Sequence, residues 1–119
     1  MEHFYRVECK MRGCSYFEGE GFDECEYDKA FMYFDNLCDS NDVKDAKFID
    51  VVETDIDEPY EADKNAKIYY ELNLPSRYDI FKTKEDALKA YDKAIERNPK
   101  LQSTLKRPVK VYETIIKEK

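Results

Sequence analysis

The chain has 119 residues, with 20 Lys or Arg against 27 Asp or Glu and a formal net charge of −7. This length predicts one domain, residues 1–119, with a single core. The 17 Phe and Tyr side chains argue against disorder, and the negative charge disfavours direct binding of nucleic acid, whose phosphates a binder must neutralise.

Cellular location is predicted from the first residues and the cysteines. The chain begins Met1-Glu2-His3 without an apolar run, which argues against a secretory signal. No stretch approaches the roughly 18 apolar residues that a membrane helix needs. Four Cys without such a signal indicate reduced thiols, so we expect a cytoplasmic protein.

The first part of the chain has the pattern of a strand followed by a helix. Residues 3–11 alternate between an apolar and a polar face, which predicts a half-buried strand. Residues 12–22 are interpreted as a loop. A helix then begins near Asp23, a good N-cap residue, and its apolar stripe continues at helical spacing to Cys38.

The remaining chain predicts two strands, a helix and a last strand. The strands cover residues 46–56 and 67–74. The helix begins after Thr83 and is stopped by Asn98-Pro99, and the last strand covers residues 108–116. The order β-α-β-β-α-β is that of the ferredoxin-like α+β sandwich, with a four-stranded antiparallel sheet and two helices on one face. That fold hosts many activities, so function must be argued from a site.

Two segments concentrate the negative charge. Residues 53–63 hold six carboxylates, residues 17–28 hold six more, and neither segment contains Lys or Arg. In the ferredoxin-like fold the first two strands are parallel, so we expect both segments at one acidic end of the sheet. The predicted partner-binding residues lie in these segments: Glu18, Glu20, Asp23, Glu24, Asp55, Asp57, Glu58, Tyr60, Glu61 and Asp63.

The acidic end predicts a non-enzymatic protein-binding module. Its expected partner is a basic protein, in particular one that binds DNA or RNA, because spaced carboxylates with nearby aromatic rings suit a phosphate-binding groove. Such a nucleic-acid mimic would act as an inhibitor. In size and charge the chain resembles small acidic inhibitors encoded by phages, including some anti-CRISPR proteins. The alternative is that the acidic segments only keep the protein soluble.

Calcium is a second use for these carboxylates. Asp55, Asp57 and Glu61 have the spacing of oxygen ligands, but Tyr60 stands where an EF-hand loop needs Gly, and Ala66 where it needs Glu. The sequence therefore predicts no metal and no cofactor.

The cysteines and the single histidine suggest no catalytic centre. Cys9 and Cys38 lie on apolar faces and are interpreted as core thiols. Cys14 and Cys25 could approach each other beside the acidic end, although their spacing matches no zinc motif. His3 has no catalytic partner nearby in the sequence, so no catalytic residue is predicted.

Two further functions stay open at this level. Phe4, Tyr69 and Tyr112 could share an open sheet face that stacks RNA bases or forms a homodimer interface. The alternative is a small enzyme with a carboxylate or thiol site that the sequence does not reveal.

Overall fold

A computed structural model describes all residues, 1–119, and shows an α+β chain of six strands and two helices. The elements in chain order are β1 (Glu2–Met11), β2 (Glu18–Asp23), a 3₁₀ turn (Glu24–Glu26), α1 (Tyr27–Asp39), β3 (Val43–Asp55), β4 (Lys67–Asn73), β5 (Tyr78–Phe81), α2 (Lys84–Arg97), a second 3₁₀ turn (Pro99–Ser103) and β6 (Val109–Glu118). Neither helix has the length and apolar character required to cross a membrane.

The six strands form one antiparallel sheet in the order β2-β1-β3-β6-β4-β5. The prediction of a four-stranded ferredoxin-like sandwich is therefore wrong. The difference comes from two short strands, β2 and β5, which pair with the preceding strands β1 and β4 as hairpins. They form the two outer edges of the sheet, and β1 and β3 become antiparallel neighbours where the predicted fold would have made them parallel.

The chain divides into two compact units. Residues 2–52 and 113–119 form one, called here the N-terminal unit, and Met1 with residues 53–112 forms the other, called the central unit. The divisions fall within β3 and β6. Each unit contains one helix, with α1 packed against β1 and β2 in the N-terminal unit and α2 against β4 and β5 in the central unit.

Aromatic packing around Phe48 dominates the core of the N-terminal unit. Phe48 is fully buried, and four aromatic rings lie with their centroids 5.4 to 6.3 Å from its own. Such pairs add about 0.5–1.5 kcal/mol each beyond the area they bury. The four rings belong to Tyr5, Tyr27, Phe31 and Phe34.

The alternation of β1 is confirmed, whereas β3 has buried residues on both of its faces. Val7 and Cys9 of β1 are buried in the core, as their alternation predicts. In β3, Ile49 and Val51 are as buried as Phe48. A strand that is covered on both faces does not show a period of two, because no face is left for polar side chains.

The central unit follows the predicted helix closely. The Thr83 side chain caps α2 by accepting a hydrogen bond from the Asp86 backbone N–H at 3.2 Å, an interaction typically worth about 1 kcal/mol. The helix ends at Arg97, before the Asn98-Pro99 stop signal. Ala87 is its fully buried contact residue.

Candidate protein-binding surface

Alternate residues of the outer strand β2 lie on opposite faces of the sheet, so its carboxylates share one face and its glycines the other. In the β1–β2 register Glu18 lies opposite Cys9 and Glu20 lies opposite Val7. Paired residues of antiparallel strands share a face. Both glutamates therefore lie on the sheet face that α1 covers at the neighbouring strand. Gly19 and Gly21 lie on the opposite face.

Two aromatic side chains border these glutamates. Phe22 continues the same face of β2, and its ring centroid lies 5.6 Å from that of Tyr33 on α1. Burial raises the pKa of Tyr33, and the negative charges of Glu20 and Glu18 raise it further. Because Tyr33 is still 40% exposed, the four residues form a continuous surface, called here the acidic–aromatic strip: Glu18, Glu20, Phe22 and Tyr33.

The glutamates of the strip are exposed and form no ion pair within the chain. The lysines near the start of β2, Lys10 and Lys47, instead lie over the Phe17 ring, with Nζ 5.8 and 4.9 Å from its centroid. Phe17 precedes β2 on the register of the glycine face. The negative charge of the strip is therefore not neutralised by the protein itself.

The next predicted residues, Asp23 and Glu24, help to hold the 3₁₀ turn in place. The Asp23 backbone N–H donates to the Glu26 carboxylate at 3.0 Å. This hydrogen bond and a 3.2 Å ion pair with Lys29 lower the pKa of Glu26. Asp23 is exposed, whereas Glu24 makes an ion pair with His3.

His3 lies between two carboxylates, an arrangement that the sequence analysis did not identify. Its Nδ1 is 3.1 Å from the Glu24 carboxylate and its Nε2 is 2.5 Å from that of Asp50. Burial lowers the pKa of His3, but the hydrogen bonds with Glu24 and Asp50 outweigh this effect and raise it overall. The sequence does contain an indication of this pairing, because His3 and Asp50 are polar residues on the core faces of two strands.

In the central unit, two predicted binding residues have partners within the chain. Asp57 makes ion pairs with Lys84 at 2.6 Å and Arg107 at 3.0 Å. The hydrogen bonds from Lys84 and Arg107 lower the pKa of Asp57. Glu58 lies 3.9 Å from the amino group of Met1. These two carboxylates are less available to an outside cation than their sequence context indicates.

The other predicted residues of this segment remain accessible. Asp55, Glu61 and Asp63 are exposed. The Tyr60 ring is 38% exposed and packs on the buried Tyr112, with centroids 4.9 Å apart. Tyr60 is therefore anchored by one face of its ring, and its exposed edge remains accessible.

A single acidic end was expected from the ferredoxin-like topology, which the structure does not have. This expectation required parallel first and second predicted strands, whereas β1 and β3 are antiparallel. The first acidic segment is also a strand and a turn rather than the predicted loop. That the two segments act together stays a prediction.

The structure also corrects the predicted approach of two thiols. Cys14 precedes β2 and Cys25 follows it, so the six-residue strand separates them by about 20 Å. All four cysteines are free thiols. Cys9 is buried, as predicted, and Cys38 packs half-buried against the core.

The geometry offers little to the other chemistries considered. No group of three His, Cys, Asp or Glu side chains is arranged to hold a metal ion. Tyr112 is only 4% exposed, so its ring is not available for stacking a nucleic-acid base.

Comparison with known proteins finds no matching family model, no matching curated protein and no matching solved structure. The function is therefore inferred from the geometry of the acidic–aromatic strip.

Proposed function

We propose that the protein is a non-enzymatic binding module that docks onto a basic protein through the acidic–aromatic strip. One observation carries this proposal: Glu18 and Glu20 are exposed on an outer strand, without a cation of their own, beside Tyr33. By contrast, Glu24, Asp57 and Glu58 have partners within the chain.

The physical basis is unrelieved repulsion together with an aromatic contact. Carboxylates two residues apart on a strand lie about 7 Å from each other, and their repulsion is relieved when cations approach. Complementary charge accelerates association and makes it sensitive to salt. Tyr33 provides the large, partly exposed ring that often anchors such interfaces.

The partner class follows from the regular spacing of the carboxylates. A protein that binds DNA or RNA carries Lys and Arg side chains placed to meet a row of phosphates. The strip presents a comparable row of negative charge, so its binding would block that groove and inhibit the partner in the cytoplasm. The exposed carboxylates of Asp55, Glu61 and Asp63 strengthen the long-range attraction.

A charge-reversal pull-down tests the proposal. The double variant Glu18→Lys, Glu20→Lys is compared with a control of equal charge change, Glu85→Lys with Glu96→Lys on the exposed side of α2. The expected result is that wild type and control capture the same nucleic-acid-binding protein from lysate, and that the strip variant does not. Equal capture by the strip variant would refute the proposed surface, provided that circular dichroism shows all three proteins folded.

A further inference from the structure

The outer edge of β2 is open as a hydrogen-bonding surface. β2 is the first strand of the sheet and pairs with β1 on one side only. An edge strand presents the N–H and C=O groups of alternate residues outward, where another strand can pair with them. Another strand can therefore pair only with those residues of β2 whose backbone N–H and C=O groups point outward.

A backbone hydrogen bond at the end of β2 indicates which residues these are. The backbone N–H of Asp23 donates to the Glu26 carboxylate at 3.0 Å, and the register partner of Asp23 on β1 is Phe4. From this bond we infer that the Asp23 N–H is directed away from β1. In an antiparallel pair, residues that bond the neighbouring strand alternate with residues that point away from it. Gly21 and Gly19, two and four residues before Asp23, therefore point their backbone groups outward.

Neither the backbone conformation nor the local packing requires glycine at positions 19 and 21. Neither has a positive φ, since Gly13 is the glycine that does. A Cβ on Gly21 would meet no atom within 4 Å, and one on Gly19 would lie 3.7 Å from the Arg6 side chain, an ordinary contact. Glycine inside a strand costs stability, and it often marks a place where another backbone approaches closely.

We propose that an extended, basic segment of the partner protein adds to the sheet beside β2, pairing with the backbone of Gly19 and Gly21. This inference rests on the proposed function and specifies its binding mode. The Lys or Arg side chains of the added strand would alternate so that they meet Glu18 and Glu20 on one face. A second copy of this chain is a poor occupant, because its own Glu18 and Glu20 would face these carboxylates across the new pair.

The first test changes the peptide and leaves the protein intact. The probe is a short capped peptide of alternating Lys and Val, titrated against the wild-type protein by calorimetry. Two control peptides have the same sequence with alternate backbone nitrogens methylated, one along each edge of the extended peptide. Each keeps the charge and lacks the hydrogen-bond donors of one edge. We expect methylation of the pairing edge to weaken binding about tenfold or more. Equal binding of the peptides methylated on either edge would overturn the proposal.

The second test uses two substitutions at one residue. Gly21→Pro removes the outward N–H, which an edge strand tolerates when that N–H faces solvent. Gly21→Ala is the matched control, since it keeps the N–H and its Cβ meets open space. We expect the Pro variant to remain folded and to lose the peptide about tenfold or more, and the Ala variant to bind it as wild type does.

Two results would contradict the edge-pairing inference. Equal peptide binding by both folded variants would show that the Gly21 N–H is not used, and a wild-type dimer abolished by the Pro substitution would identify a second copy as the occupant. If the Pro variant unfolds because of its fixed φ, the methylated peptides decide between pairing and its absence. If the pull-down partner is lost with Glu18→Lys and Glu20→Lys but kept with Gly21→Pro, the acidic surface stands and the pairing does not. If both variants keep the partner, the proposed function fails as well.

Discussion

The imidazole of His3 on β1 and the carboxylate of Asp50 on β3 are joined at 2.5 Å between Nε2 and Oδ1. The Glu24 carboxylate contacts the other ring nitrogen, so a protonated imidazole donates to both carboxylates. This arrangement links β1, β3 and the 3₁₀ turn that follows the acidic–aromatic strip.

Replacing His3 should therefore change the pH dependence of stability. The folded state raises the pKa of His3 above its ordinary value of 6.5. Its contribution is complete below that value and is lost as the pH rises through the raised pKa. We expect His3→Gln to lower the free energy of unfolding by about 1 kcal/mol near pH 5.5 and by much less near pH 9, as measured by urea unfolding. An equal loss at both pH values would contradict the ion pairs.

Asp57 should matter to the fold and little to partner binding. Lys84 and Arg107 hold its pKa below the ordinary value, so its contribution is present above that value and is lost as the pH falls through the lowered pKa. We expect Asp57→Asn to cause a small, salt-sensitive loss of stability and to retain the partner in the pull-down. Loss of the partner, with the fold intact, would show that Asp57 leaves its two cations to bind it.

Phe48 should be the most sensitive side chain of the N-terminal unit. Truncation to Ala removes a fully buried ring that packs against four others, and we expect a loss of about 3–5 kcal/mol. Met32 on α1 is 65% exposed and provides the control, since Met32→Ala should change stability by less than about 0.5 kcal/mol. Chemical unfolding of both variants measures the difference. Similar losses would place the core elsewhere.

The free thiols should differ widely in reactivity. Cys25 is exposed, whereas Cys9 is buried, and burial with the nearby Glu18 charge raises the pKa of its thiol. Because the thiolate is the reactive form, iodoacetamide should label Cys25 in the native protein and leave Cys9 unmodified until unfolding. Mass spectrometry of timed samples follows both sites. Early labelling of Cys9 would indicate that β2 opens readily.

Local sequence signals predicted most of the long elements, and two short edge strands decided the fold. The helix after Thr83 carries its own start and stop signals, and β1 alternates clearly, so both could be predicted. β2 contains Gly19 and Gly21, and because glycine is depleted in strands, the local sequence predicts a loop there. β5 has only four residues. Pairing of such strands depends on distant partners, which a local pattern does not specify.

The candidate site could likewise be predicted only in part. Its acidic residues were identifiable by composition, but their partners were not, because contacts such as Asp57 with Arg107 join residues far apart in the chain. Tyr33 was missed, although it lies one residue before the helical stripe residue Phe34. Its role depends on the β1–β2 hairpin, which places Phe22 beside it.

A competition titration shows whether the acidic–aromatic strip replaces nucleic acid on the partner. The purified partner is bound to a labelled DNA or RNA of the kind it recognises, and this protein is added while the anisotropy of the label is followed. We expect that the nucleic acid is displaced, that displacement weakens as salt rises, and that the variant with Glu18→Lys and Glu20→Lys displaces none. A stable complex of all three components, or undiminished displacement by that variant, would contradict it.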